Sequence, residues 1–60
     1  MVNENEIWNF HGLIIKTKRL VEDERWGRTW DVEVLDGKWT FGDGDNLLES
    51  TICNLFTKIL

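Results

Sequence analysis

The sequence predicts an α+β fold, a three-stranded antiparallel meander packed on one C-terminal α-helix in the order β-β-β-α. Three observations carry this expectation. Apolar and polar residues alternate over Leu13–Val21 and again over Trp26–Leu35, the two-residue period of half-buried strands. Asp36-Gly37 stands between apolar runs as a hairpin signal. From Asn46 to Leu60 the apolar residues Leu48, Ile52, Leu55, Phe56 and Ile59 recur at helical spacing.

Taken in order, residues 1–6 (MVNENE) are polar and expected to fray. Ile7–Phe10 is apolar and aromatic, and either packs on the sheet or adds a fourth strand at its N-terminal edge. The first strand, Leu13–Val21, places Leu13, Ile15, Thr17 and Val21 on one face and Lys16 and Lys18 on the other. The second, Trp26–Leu35, places Trp26, Trp30, Val32 and Val34 opposite Thr29, Asp31 and Glu33. The third, Lys38–Gly42, is short, with Trp39 and Phe41 on one face.

A type I′ turn at Asp36-Gly37 would set Leu35 opposite Lys38, Val34 opposite Trp39 and Val32 opposite Phe41. A first turn over Asp23-Glu24 would set Val21 against Trp26, Thr17 against Trp30, Ile15 against Val32 and Leu13 against Val34. Lys16 would then face Asp31, and Glu22 would face Arg25, and a one-residue slip would undo every match. The helix over Asn46–Leu60 opens on a capping-box pattern of Asn46 and Glu49, with Asp43 and Asp45 near its positive end and Lys58 in its last turn. Val32, Val34, Trp39, Phe41, Ile52, Leu55 and Ile59 form the expected core.

With 60 residues, the chain is a single domain over 1–60, and a chain of this size buries only about 60% of its unfolded surface. Small domains supplement such a core with disulfides, metal or a partner subunit. Cys53 is the only cysteine and His11 the only histidine, so neither a disulfide nor a zinc site is expected, and a homodimer is. Ile14, Leu20 and Leu35 fall on the face away from the helix, where a second copy would cover them. The net charge of −4 argues against nonspecific nucleic-acid or membrane binding. The acidic N-terminus is unlike a signal peptide and no apolar run reaches spanning length, so a cytoplasmic protein is expected.

The sequence offers no catalytic set and no cofactor motif. His11 lacks a catalytic partner and reads as a turn or surface residue, and Cys53, beside Glu49 and Thr57, as a half-buried structural thiol. The acids from Asp43 to Glu49 lack the ligand spacing of a calcium loop and read as helix caps. Lys16, Lys18, Arg19, Arg25 and Arg28 gather in the first hairpin, but Glu22, Asp23, Glu24, Asp31 and Glu33 share it, which favours a salt-bridged face over nucleic-acid binding. Four tryptophans and three phenylalanines exceed what one helix can shelter. Tryptophan and arginine dominate interface hot spots, so Arg25, Trp26 and Arg28 at the charged turn, with Trp8 and Phe10, are the expected partner-binding residues.

The run from Trp30 to Leu60, WDVEVLDGKWTFGDGDNLLESTICNLFTKIL, resembles the hairpin, Gly-Asp turn and helix that end small phage proteins of the alpha-beta-alpha sandwich family, with Thr51-Ile52-Cys53 in place of their Ala-Ile-Cys. It also resembles the strand-turn-helix of HicB-type antitoxins at Gly44, Asp45, Asn46, Leu47 and Glu49. The first resemblance implies a phage- or mobile-element-encoded inhibitor or regulator that binds a host protein, with DNA mimicry as one form. The alternatives are a nucleic-acid-binding regulator using the basic hairpin and an antitoxin-like module. No DNA-binding tail of the HicB kind is read after this helix, so operator binding is not expected.

Overall fold

In the computed structural model, which describes residues 1–42 and 44–59, one antiparallel sheet of five strands is joined by one short helix. The elements are β1 (Ile7–Phe10), β2 (Leu13–Asp23), β3 (Gly27–Asp36), β4 (Asn46–Leu48), α1 (Glu49–Leu55) and β5 (Thr57–Lys58). The order across the sheet is β4-β3-β2-β1-β5. The chain meanders through β1, β2 and β3, adds β4 to the far edge, and crosses by α1 to add β5 beside β1. The α+β class is as expected. The arrangement is not the β-β-β-α meander, because strands also form within the segment expected to be helical.

The type I′ turn sits at His11-Gly12 instead of Asp36-Gly37. Such a turn requires positive φ at both central residues, and His11 (φ 49) and Gly12 (φ 90) supply it. Gly37 is left-handed at φ 86, but Asp36 is not among the positive-φ residues. The expected pairs Leu35–Lys38, Val34–Trp39 and Val32–Phe41 are absent, and residues 38–42 form no strand. Gly37 leaves the sheet against the β1–β2 turn, so closely that a Cβ there would lie 2.5 Å from the Gly12 carbonyl oxygen. Trp39 and Phe41 still pack against the core, carried there by coil.

The β2–β3 hairpin forms in a different register from the expected one. Asp23 pairs with Gly27, Leu20 with Trp30, Thr17 with Val32 and Ile15 with Val34, with irregularities between Thr17 and Arg19 and between Ile14 and Ile15. Around Ile15 and Thr17 the shift from expectation is two residues, which preserves faces, so Leu13, Ile15, Thr17, Trp30 and Val32 are buried as their alternation predicts. The extra residue at Lys18 then reverses the alternation. Leu20, not Thr17, pairs with Trp30, and Val21, expected against Trp26, pairs with Thr29 and is exposed. Charged partners change too. Asp31 binds Arg19 at 3.1 Å, not Lys16, and Glu22 pairs with Arg28, not Arg25.

The helix is seven residues long, not the expected Asn46–Leu60. Asn46–Leu48 pairs with Thr29–Asp31 of β3, so Leu48 takes the N-cap position and no side chain caps the helix. The Glu49 carboxylate, expected in a capping box, is engaged by Arg28 and Trp30 instead. Beyond Leu55 the chain is extended at Phe56, and Thr57 and Lys58 pair with Asn9 and Trp8. Of the expected core, Ile52 and Val32 are buried, while Val34, Leu55 and Ile59 are exposed. The expected roles of Asp43 and Leu60 lie outside the described residues.

Residues 1–6, expected to fray, are partly built in. Val2 is 1% exposed. The Asn5 N–H donates to the Thr17 carbonyl, and the Thr17 hydroxyl, fully buried, accepts the Glu6 N–H at 2.9 Å and donates to the Asn3 carbonyl. Among the described residues no helix is long and apolar enough to cross a membrane.

Candidate functional site

The β2–β3 turn is held rigid by local chemistry. Asp23 Oδ1 accepts the N–H groups of Arg25 (2.7 Å) and Trp26 (3.0 Å), an Asx turn that mimics a backbone turn. Gly27 closes the loop at φ 81 with open space where a Cβ would stand, the left-handed position that a three-residue hairpin loop ends on. Trp26 is thereby fixed at the tip with 63% of its surface exposed.

The four indoles divide by what they bond. Trp8 Nε1–H donates to Glu6 Oε1 at 3.3 Å, Trp30 Nε1–H to Glu49 Oε1 at 2.9 Å, and Trp39 Nε1–H to the Gly42 carbonyl at 2.9 Å. Trp26 alone hydrogen-bonds to no described residue through its indole. A buried indole finds a partner within the chain, so an exposed, unbonded one on a rigid turn marks a surface available to another molecule.

Beside Trp26 lies an open cleft of about 350 Å³ lined by Thr29, Phe41, Thr51 and all three residues of β4. Its wall is predominantly apolar. Thr29 Oγ1 is buried and has no hydrogen-bond partner among the described residues. Arg28, at the base of the tip, is bound by Glu49 Oε2 at 2.9 Å and lies 3.9 Å from Glu22. Arg28 and Trp30 hold the Glu49 carboxyl below its ordinary range, against the upward push of burial.

Of the residues expected to meet a partner, Arg25, Trp26 and Arg28 are brought together at the tip. Arg28 is already ion-paired. Trp8, expected to lack shelter, is a core residue at 8% exposure, clustered with Val2 and bonded to Glu6 of the N-terminal segment. Phe10 is partly buried in an aromatic cluster with His11, Phe41 and Phe56 at ring separations of 4.5 to 5.6 Å, and so backs the cleft through Phe41. Reading β4 as helix hid the wall formed by Asn46, Leu47 and Leu48.

A second, broader groove of about 830 Å³ runs over the outer face of β2 and β3. Both of its cations are paired, Lys18 with Glu33 at 3.5 Å and Arg19 with Asp31 at 3.1 Å, and Asp45 lines it as well. Cys53 is exposed, and no group of three metal-ligating side chains occurs among the described residues. No family model, curated protein or solved structure matches this chain.

Proposed function

We propose that this protein is a small, acidic, non-catalytic protein-binding module that acts as an inhibitor or regulator by occupying a surface on a target protein in the cytoplasm. The observation that carries this is Trp26, a large aromatic side chain left exposed and unbonded on a turn that is otherwise fully organised. Rigid aromatic anchors lose little entropy on binding and dominate interface energies. The resemblance of residues 30–60 to phage proteins supports a mobile-element origin and a host protein as the target. Nucleic-acid binding by the basic hairpin is less favoured, because Lys18, Arg19 and Arg28 are each paired with an acid.

The reading is tested by capture from host lysate with the full chain and its Trp26→Ala variant. A protein retained by the parent and lost with Trp26→Ala, while the melting curve is unchanged, supports it. Equal capture by both, or capture of nucleic acid alone, overturns it.

A further inference from the structure

We propose that the cleft beside Trp26 receives an extended, basic segment of the partner protein, added alongside β4 with an arginine or lysine stacked on the Trp26 indole. This rests on the protein-binding reading and names the chemistry of what is bound.

Three independent observations converge. β4 is the terminal strand of the sheet, so its backbone groups on the side away from β3 lack a sheet partner, and such an edge templates the addition of an extended chain. All three β4 residues line the cleft, so a strand laid along this edge would project alternate side chains onto its apolar wall. The turn that carries Trp26 to the cleft is acidic: residues 22–28 hold Glu22, Asp23 and Glu24 against Arg25 and Arg28, and Arg28 is bound by Glu49, with Glu22 3.9 Å away. An exposed indole in an acidic surround favours a cation over its face. An acidic segment would meet like charge at the Trp26 turn, and a purely apolar one would leave that charge unanswered.

The test uses the ¹⁵N-labelled full chain, titrated with a seven-residue peptide alternating arginine and leucine, and with its counterpart alternating glutamate and leucine. The expected result is that the basic peptide shifts the Trp26 indole N–H and the amides of Asn46, Leu47 and Leu48. The indoles of Trp8 and Trp30 should stay in place, and the acidic peptide should leave the spectrum unchanged. Affinity should fall about fivefold in Trp26→Ala, the scale of a cation–π contact at a partly exposed site. It should fall also in Glu24→Lys, which reverses a charge of the turn without removing the indole, and with added salt. Equal binding of both peptides, shifts confined to Lys18, Arg19 and Glu33, or indifference to Trp26→Ala would each overturn the proposal. So would self-association in light scattering that Trp26→Ala abolishes, because a second copy would then occupy the cleft. If Trp26→Ala releases a captured protein while the basic peptide fails to bind, the protein-binding reading stands and only this inference falls.

Discussion

Glu6 and Glu49 each hold a tryptophan indole with one carboxylate oxygen and a cation with the other, but at opposite sides of the sheet and with different exposure. Glu6 joins Trp8 of β1 (3.3 Å) to Lys58 of β5 (3.1 Å) and also accepts the Asn3 N–H at 2.9 Å. Its side chain is 11% exposed, and the joint ties the two ends of the chain together. Glu49 joins α1 to Trp30 and Arg28 of β3, both at 2.9 Å, with 19% exposure against an Arg28 side chain at 43%. The geometry at Glu49 is tighter, and although its carboxylate is the more exposed of the two, its partners are the less exposed, Arg28 at 43% against Lys58 at 50% and Trp30 at 3% against Trp8 at 8%. The same chemistry therefore has unequal consequences, because losing a hydrogen bond costs most where the abandoned group cannot turn to solvent.

The largest effect separates the rings from the carboxylates they bond. Trp8→Ala and Trp30→Ala each empty a core position, and each should cost about 3–5 kcal/mol in urea unfolding. A Trp8→Ala variant as stable as the parent would mean that the β1–β5 side is not part of the core.

The apolar anchor of α1 comes next. Ile52 is fully buried and Leu55 half exposed, so Ile52→Ala should cost about 2–5 kcal/mol and Leu55→Ala within about 0.5 kcal/mol of nothing. Equal losses would show that the Glu49 contacts, not Ile52, seat the helix.

Removing the carboxylates themselves sharpens the contrast. Glu6→Ala strands the Trp8 indole N–H and Glu49→Ala that of Trp30, the more buried of the two, while Lys58 and Arg28 can both turn to water, so Glu49→Ala should cost about 2–3 kcal/mol and Glu6→Ala about 1–2 kcal/mol. The reverse order would mean that the deeper burial of the Glu6 carboxylate, with its added bond from Asn3, outweighs the burial of the indole.

Acid acts on both. At Glu6 burial pushes the carboxyl up, but the bonds from Asn3 and Lys58 outweigh it and hold it below 4.5, and at Glu49 Arg28 and Trp30 do the same. A carboxyl whose pKa is lower in the folded than in the unfolded chain contributes stability that is complete above the unfolded value and is lost as pH falls through the folded one. The melting temperature should therefore drop on acidification below about pH 4.5, and less steeply in a Glu6→Gln, Glu49→Gln double variant. Parallel curves would show that other carboxylates govern the acid limb.

The smallest effect belongs to Trp26. Exposed and unbonded, it should change stability by no more than about 0.5 kcal/mol on replacement by Ala, a calorimetric check that isolates its binding role from any role in the fold.

Period-two alternation determined which residues of the long hairpin face inward. Leu13, Ile15, Thr17, Trp30 and Val32 are where that pattern puts them, because a two-residue shift of register leaves every face unchanged. Ile7–Phe10 was legible as an apolar segment that packs on the sheet or pairs at its edge, and a charged turn beside Arg25, Trp26 and Arg28 was legible because charge and glycine mark turns locally, although it closes over residues 24–26 and not over Asp23-Glu24. Alternation carries no mark of the extra residue at Lys18, which turns Leu20 inward and Val21 outward. Turn composition likewise ranked Asp36-Gly37 above His11-Gly12, although the paired strands on either side decide which dipeptide adopts two positive φ angles. At Asn46–Leu48 a helical stripe competed with strand pairing, and the open edge of β3 captured the segment, shortening α1 and building the wall of the cleft. The burial of Trp8 and the Glu6–Lys58 joint were decided only when both ends of the chain met on one sheet, because a contact between distant residues leaves no periodic trace in either.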